Sequence, residues 1–377
     1  MPNKVISYIH SGDHCDQPLR YSETPDGKFV LENVENDSRG NITDVKVISE
    51  KFDKITVHNT FDTGNASIMV EKNGKWGLYT YRFPKTPLLL EPVDNPISSK
   101  EWLENFKNAS STRNYSLLHK LRKAIYVQTK FYSKLGSYTS ENGKTVELQN
   151  AGKSTVYKEE LHPSQTFEKY DTQISVVNED CLLTALKNKA ENPVVLNMAS
   201  WKNPGGGVEN GAGAQEECLF RSSNYGASMM PLKRRFYPLE LDFGGVYTPS
   251  ITVFRGLESE GYPLLDEPFI TNFVAVPALS NPKLENGKYN DSEKKIMINK
   301  IRTIFNIAAE HNHKVLILGA FGCGAFHNPP VEVAKLFKAE LESDVYKGRF
   351  EKVIFAIKSD HNDTQSNFNS FCDVFEA

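Results

Sequence analysis

Three consecutive glycines followed by a carboxylate pair form the most informative pattern in the sequence. The segment Asn197 to Ser200 leads into Gly205, Gly206 and Gly207, and after seven further residues the chain reads Gln215-Glu216-Glu217. Consecutive glycines permit positive φ angles and close approach of the backbone to a ligand. A glutamate can exchange a proton with a reacting group. The pattern therefore predicts close contact of the backbone with a sugar or phosphate, next to a helix that carries two carboxylates.

A second glycine-rich loop follows another apolar run. It spans residues 319–326 and ends at Asn328-Pro329-Pro330, where proline suits the first turn of a helix. In open α/β sheets, ligands bind where strands give way to such loops and to helix N-termini. Two loops of this kind predict one shared site, in which backbone N–H groups hold a pyrophosphate.

The elements that position these loops alternate along the chain. Strands are predicted at 174–177, 194–198, 273–276, 315–318 and 353–356, and helices at about 115–134, 181–189, 292–311 and 330–342. Short apolar strands separated by helices indicate a sheet covered on both faces. The predicted fold is a three-layer α/β/α domain with a mixed sheet, assigned to residues 113–377.

Residues 1–112 have a different character, with short β-rich runs separated by turn residues, which predicts a smaller, mostly β domain. Four prolines between Pro84 and Pro96 mark the linker. Residues 52–78, with Trp76-Gly77 after an Asn-Gly turn, resemble one copy of a WG repeat. An ordinary hairpin explains the same residues equally well. The N-terminal domain is a candidate for contact with another protein.

Composition excludes several classes of protein. The net charge of −3 argues against binding of extended duplex nucleic acid, which requires a basic surface. The five cysteines form no C-x-x-C pair and indicate reduced thiols, and no apolar run is long enough for a membrane span. These features predict a cytoplasmic protein without a membrane partner. His311 and His313 are separated by two positions near a helix end, which does not suit a metal site, so we expect no metal and no cofactor.

The motifs together resemble the bacterial-type poly(ADP-ribose) glycohydrolases of the macrodomain superfamily. The likeness rests on Asn-Pro-Gly-Gly-Gly, on Gln-Glu-Glu seven residues later and on Gly-Ala-Phe-Gly-Cys-Gly-Ala-Phe, and it extends over about residues 113–377. The resemblance implies that Glu217 is the catalytic acid and base and that Glu216 holds the ribose or positions Glu217. It further implies a substrate-binding set of Asp180, Asn197, Ser200, Gly205, Gly206, Gly207, Gln215, Gly322, Cys323, Gly324, Ala325 and Phe326.

The expected activity is hydrolysis of ribose–ribose bonds in poly(ADP-ribose), or in ADP-ribosylated macromolecules. Most glycosidases use two carboxylates that flank the bond, but neighbours on a helix point about 100° apart. We therefore expect Glu217 alone to act first as acid and then as base. Two alternatives stay open: a macrodomain that binds ADP-ribose without cleaving it, and a hydrolase of single ADP-ribose units. Cleavage from chain ends or within the polymer is not decided by the sequence.

Overall fold

A computed structural model describes residues 4–9, 19–36, 42–47, 49–60, 65–72, 75–82, 98–164, 166–359 and 366–376. Internal contacts divide the chain into two units, Met1–Pro96 and Ile97–Ala377. Residues 97–112, which the sequence had assigned to the first domain, group with the second unit. The reason is a helix at Ser99–Ser111 whose Trp102 indole donates to the carbonyl of Leu121.

The first unit contains two antiparallel sheets. Phe29 and Phe52 are joined by an isolated antiparallel bridge, and apolar side chains such as Val30, Leu31 and Phe52 are buried. Trp76-Gly77 lies on a strand, whereas the preceding Asn-Gly pair and the prolines of the predicted linker lie outside the described residues. The strands are β1 Lys4–Ile9, β2 Leu19–Glu23, β3 Phe29–Asn36 and β4 Ile42–Val47 in one sheet, and β5 Lys54–Thr60, β6 Asn65–Lys72 and β7 Lys75–Arg82 in the other.

The second unit is built on a seven-stranded mixed sheet. Its strands are β10 Thr155–Tyr157, β11 Gln173–Val177, β12 Val194–Met198, β13 Gly245–Arg255, β14 Leu264–Val276, β17 Val315–Leu318 and β18 Lys352–Ala356. Their order is β10-β13-β14-β12-β17-β18-β11, antiparallel at the β10–β13–β14 edge and parallel from β14 onward. Two small hairpins accompany it: β8 Ser137–Thr139 with β9 Thr145–Glu147, and β15 Leu284–Glu285 with β16 Lys288–Tyr289.

Helices cover both faces of this sheet. Their bounds are α1 Ser99–Ser111, α2 Tyr115–Leu135, α3 Cys181–Lys187, α4 Gln215–Ser222, α5 Tyr225–Met229, α6 Lys233–Phe236, α7 Asp291–Glu310, α8 Pro330–Glu342 and α9 Ser366–Phe375. Strand β12 shows why two cores form: Val194 and Leu196 pack with α7 and α8, while Val195 between them packs with α3, α4 and α5. Side chains alternate between the faces of a strand, so an unbroken apolar strand supplies both cores. The predicted three-layer α/β/α fold with a mixed sheet is confirmed.

The topology brings the candidate loops to one edge. β11, β12, β14, β17 and β18 run parallel, so their carboxyl ends lie side by side. Residues 199–207 follow β12, residues 319–329 follow the adjacent β17, and Asp180 follows β11. This edge is where ligands bind in open α/β sheets.

Candidate active site

Glu217 lies in the first turn of α4 and is buried, with its side chain against the glycine loop. Its Oε1 accepts a hydrogen bond from the backbone N–H of Gly207 at 2.8 Å. Within the described part of the chain, Oε2 is buried and has no hydrogen-bond partner. A buried oxygen without a partner costs about 1–3 kcal/mol, so such atoms are uncommon and point to a missing ligand or water. Glu217 therefore presents one anchored and one free oxygen.

Glu216 ties the loop after β12 to α4. Its Oε2 accepts from the N–H of Ser200 at 2.7 Å, and its Oε1 accepts from the N–H of Gly205 at 3.0 Å and from Asn197 Nδ2 at 3.4 Å. Burial raises the pKa of Glu216 to about 8, an effect that the charge of Glu217 reinforces and the two backbone amides oppose. The carboxyl of Glu216 is thus already engaged by the protein and positions the loop.

Gln215 and Asn197 complete this junction. The side-chain amide of Gln215 donates to the carbonyl of Leu196 at 2.7 Å and accepts from the N–H of Met198 at 3.0 Å. It therefore hydrogen-bonds to the backbone of β12 on both sides of Asn197. Asn197 is fully buried, and its Nδ2 also lies 3.3 Å from the hydroxyl of Tyr225. The structure therefore brings Asn197, Ser200, the three glycines and Gln215-Glu216-Glu217 into one connected cluster.

Gly206 is the position where no side chain fits. Its φ is +54°, and a Cβ built there would lie 2.5 Å from Glu217 Oε1 and 3.1 Å from Glu216 Oε2. Both carboxylates therefore reach the same glycine, although an ideal helix directs neighbouring side chains about 100° apart. Gly205 is enclosed too, since its Cβ would lie 2.8 Å from the ring of Phe220. Glycine is therefore required at 206 by close packing against the two carboxylates and at 205 by close packing against Phe220.

The loop after β17 is held by Asn328, which the sequence placed at the end of the loop without predicting a role for its side chain. Its Nδ2 donates to the carbonyls of Leu279 and Gly322 at 2.7 and 2.9 Å, and its Oδ1 accepts from the hydroxyl of Tyr289 at 2.7 Å. Between Gly322 and Phe326 the backbone turns, and Gly324 and Ala325 are exposed. Their N–H groups have no acceptor among the described residues. These two amides are available to an anion.

The remaining predicted residues of this loop are less open. Cys323 and Phe326 are half-buried and pack against the core beneath the loop.

Asp180 follows β11 and caps α3, where its Oδ1 accepts a hydrogen bond from the N–H of Leu182 at 2.8 Å. Burial raises the pKa of Asp180. Its role toward a ligand stays a prediction.

A buried charged network lies behind the site. The guanidinium of Arg221, fully buried on α4, donates to the carbonyl of Ala212 at 2.6 Å and to the hydroxyl of Tyr262 at 2.7 Å, and it lies 3.6 Å from Glu258. Glu258 also forms a two-bond ion pair with Arg122 of α2. Because the N–H of Ala212 donates to the carbonyl of Gly207, this network supports the turn that holds Glu217.

The described residues contain neither a cluster of metal-ligating side chains nor a membrane-spanning helix. No group of three or more His, Cys, Asp or Glu side chains in this part of the chain is arranged to hold a metal ion. No helix in the same residues is long and apolar enough for a membrane span. The expectation that no metal is needed stays a prediction.

Fold and site together define a three-layer α/β domain with a carboxylate-bearing helix against a glycine loop. Residues 127–256 match the family model of the microbial-type PARG catalytic domain. A poly(ADP-ribose) glycohydrolase from Thermomonospora curvata bound to the inhibitor ADP-HPD is 28% identical, with a TM-score of 0.56, covering 67% of this chain and 99% of that one. A second structure of the glycohydrolase (PARG) from that organism is 29% identical, with a TM-score of 0.57, and the match covers 67% of this chain and 99% of that one. Among curated proteins, no sequence matches.

Residues 127–256 are thus similar to the microbial-type PARG catalytic domain, and the fold around them is similar to that of bacterial poly(ADP-ribose) glycohydrolases. The resemblance expected from the sequence is confirmed. The matched residues 127–256 include Gly205–Gly207 and Gln215–Glu217, while the loop after β17 lies outside them. The roles of the individual side chains are proposals.

Proposed function

We propose that this protein hydrolyses the ribose–ribose O-glycosidic bonds of poly(ADP-ribose) and releases ADP-ribose, with Glu217 as the single acid and base. The observation that supports this most directly is the geometry of Glu217. One carboxylate oxygen is fixed by Gly207, and the other is buried without a partner among the described residues. An oxygen held in this way can transfer a proton to and from a substrate with little reorganisation.

In the first step, the Glu217 carboxyl gives its proton to the bridging oxygen of the bond as that oxygen leaves the anomeric carbon. The leaving unit departs as an alcohol, and the positive charge that develops is shared by the sugar ring oxygen and the anomeric carbon. In the second step the Glu217 carboxylate takes a proton from water while the water oxygen bonds to the anomeric carbon. Glu217 is then protonated again, and one water has been consumed for each bond cut.

Glu216 acts through position. Its carboxyl accepts from the N–H groups of Ser200 and Gly205, so the glycine loop cannot move away from α4 without breaking both bonds. Loss of either contact would shift Gly206 and Gly207 relative to Glu217. A misplacement of about 1 Å costs on the order of 10²-fold in rate.

The diphosphate is assigned to the loop after β17. The exposed N–H groups of Gly324 and Ala325 have no acceptor among the described residues, and Asn328 fixes the turn that presents them. Backbone N–H groups in a turn are a common means of binding phosphate. Cys323 contributes as a small side chain in this loop, and Phe326 supplies an apolar surface for a ribose.

The function is tested by incubating the purified protein with radiolabelled poly(ADP-ribose) and separating the products. We expect free ADP-ribose, formed at the same rate with and without a metal chelator because the proposed proton transfers need Glu217 only. Binding of the polymer without release of ADP-ribose would favour a domain that binds ADP-ribose without cleaving it. Release only from mono-ADP-ribosylated protein would favour the hydrolase of single units.

A further inference from the structure

A cavity of about 330 Å³ opens between α2, α4 and α5, outside the catalytic cluster. It shares no residue with the set predicted to bind substrate in the active site. Its volume lies in the lower part of the range of about 300–1,000 Å³ usual for small-molecule sites. Aromatic and apolar walls come from Tyr126, Phe220 and Met230. The cavity therefore has the size and the lining of a site for a flat apolar group.

One polar group in this cavity lacks a partner. The hydroxyl of Tyr126 is buried, and among the described residues nothing accepts its hydrogen bond or donates to it. Burial raises the pKa of Tyr126, so the hydroxyl stays protonated and can donate. The neighbouring hydroxyls of Thr129, Ser133 and Ser223 already donate to backbone carbonyls. The structure thus leaves one buried donor for a ligand with an acceptor atom.

A row of lysines runs along the helix that forms one wall. Lys120, Lys123, Lys130 and Lys134 all belong to α2. At 100° per residue they fall within an arc of about 80° and extend over about 20 Å. Lys130 and Lys134 line the cavity, and Lys130 lies 3.9 Å from Glu209. In a protein with a net charge of −3, four lysines on one helical face form a local field that attracts a polyanion.

The cavity also adjoins the catalytic loop. The ring of Phe220 forms part of its wall and lies 2.8 Å from the position of a Cβ on Gly205. Glu209, which contacts Lys130, is two residues beyond Gly207. A polymer that continues past the catalytic loop would therefore meet this cavity and the lysine row.

We propose that this cavity is a second poly(ADP-ribose) subsite, in which an adenine of a neighbouring unit enters between Tyr126, Phe220 and Met230 while its diphosphate lies on the lysine row of α2. A purine has ring nitrogens that accept a hydrogen bond, as the Tyr126 hydroxyl requires, and a flat shape that suits a narrow cavity with a mostly apolar lining. The inference rests on the proposed function, because it takes the same polymer as ligand.

The test compares the binding of a single ADP-ribose unit with the binding of a chain of many units. In a Glu217→Gln background, which keeps the polymer intact, the dissociation constants of ADP-ribose and of poly(ADP-ribose) chains of about 20 units are measured by calorimetry. Ala227→Leu narrows the cavity from its exposed wall, and Lys123→Glu reverses one charge of the row. Lys294→Glu, exposed on α7, makes the same change in net charge elsewhere and serves as the control.

We expect Ala227→Leu and Lys123→Glu each to weaken polymer binding about tenfold, with the effect of Lys123→Glu smaller at high salt. ADP-ribose affinity should stay within twofold, and the control should match the parent. Polymer affinity within threefold of the control in either variant would overturn the inference, as would an equal loss for ADP-ribose. If the wild-type protein binds polymer without cutting it, the proposed hydrolysis fails instead, and the binding result still decides the subsite.

Discussion

Replacing Gly206 by alanine perturbs the catalytic carboxylate by a defined distance. The new Cβ would lie 2.5 Å from Glu217 Oε1, whereas ordinary van der Waals contact begins at 3.4 Å. Glu217 Oε1 must therefore move by the difference of 0.9 Å, or the loop must move with Gly207. A displacement near 1 Å is expected to lower kcat by about 10²-fold.

The same substitution also strains the backbone, and that effect needs its own control. Alanine at the φ of +54° costs about 1–2 kcal/mol. Gly143 has a φ of +80° and no atom within 4 Å of its Cβ position, so Gly143→Ala adds the strain without the clash. At about 2–4 °C per kcal/mol, both variants should unfold a few degrees below the wild type.

The assay compares kcat for release of ADP-ribose with the melting temperature of each variant. Gly206→Ala is expected to lose about 10²-fold in kcat and Gly143→Ala to keep the wild-type value, at similar stability. If Gly206→Ala retains kcat within threefold of Gly143→Ala, then Glu217 does not work from the position described.

Three further outcomes follow from the buried groups. Burial raises the pKa of Glu216 to about 8, so above that pH a negative charge appears in a site that must hold a diphosphate. kcat/KM should therefore fall as the pH rises through about 8. Glu216→Gln should remove this fall from the pH profile. A lysine at 221 cannot form the hydrogen bonds to Ala212 and Tyr262 at the same time. In Arg221→Lys, kcat should therefore fall about tenfold while the affinity for ADP-ribose stays within twofold of the wild type. An equal loss of kcat and of affinity, measured by kinetics and calorimetry, would contradict a positioning role. Burial lowers the pKa of His313 from 6.5 to about 4, so the unfolded chain binds a proton at His313 before the folded chain does as the pH falls. The free energy of unfolding should therefore drop by up to about 3 kcal/mol between pH 6.5 and 4. Urea unfolding of His313→Asn should show a smaller drop.

The sequence alone predicted the fold because periodic patterns determine it. Apolar runs such as 194–198 and 315–318 are strands buried on both faces, and the helices at 115–135 and 291–310 begin and end within a residue or two of the predicted bounds. Motifs in the loops after β12 and β17 predicted the site because three consecutive glycines and the Gln-Glu-Glu that follows them form one local pattern. The sequence therefore predicted the elements and motifs that are local in the chain, together with the resemblance to a known family.

Contacts between distant positions were not predictable in this way. Arg122 pairs with Glu258, which is 136 residues away, and Asn328 reaches Leu279 across 49 residues. No spacing rule marks such partners, since they depend on which elements pack together. The helix at 99–111 was missed for a related reason: the composition of residues 1–112 suggested β structure, while burial of Trp102 stabilises this helix against α2.

We propose that Glu217 performs the chemistry without being needed for binding of ADP-ribose. The most direct test is a single-turnover measurement with poly(ADP-ribose) on Glu217→Gln, together with the dissociation constant of ADP-ribose for the same preparation. We expect a rate lower by about 10² to 10⁴-fold and an affinity for ADP-ribose within threefold of the wild type. A rate within tenfold of the wild type, or an affinity lost in parallel with the rate, would contradict it.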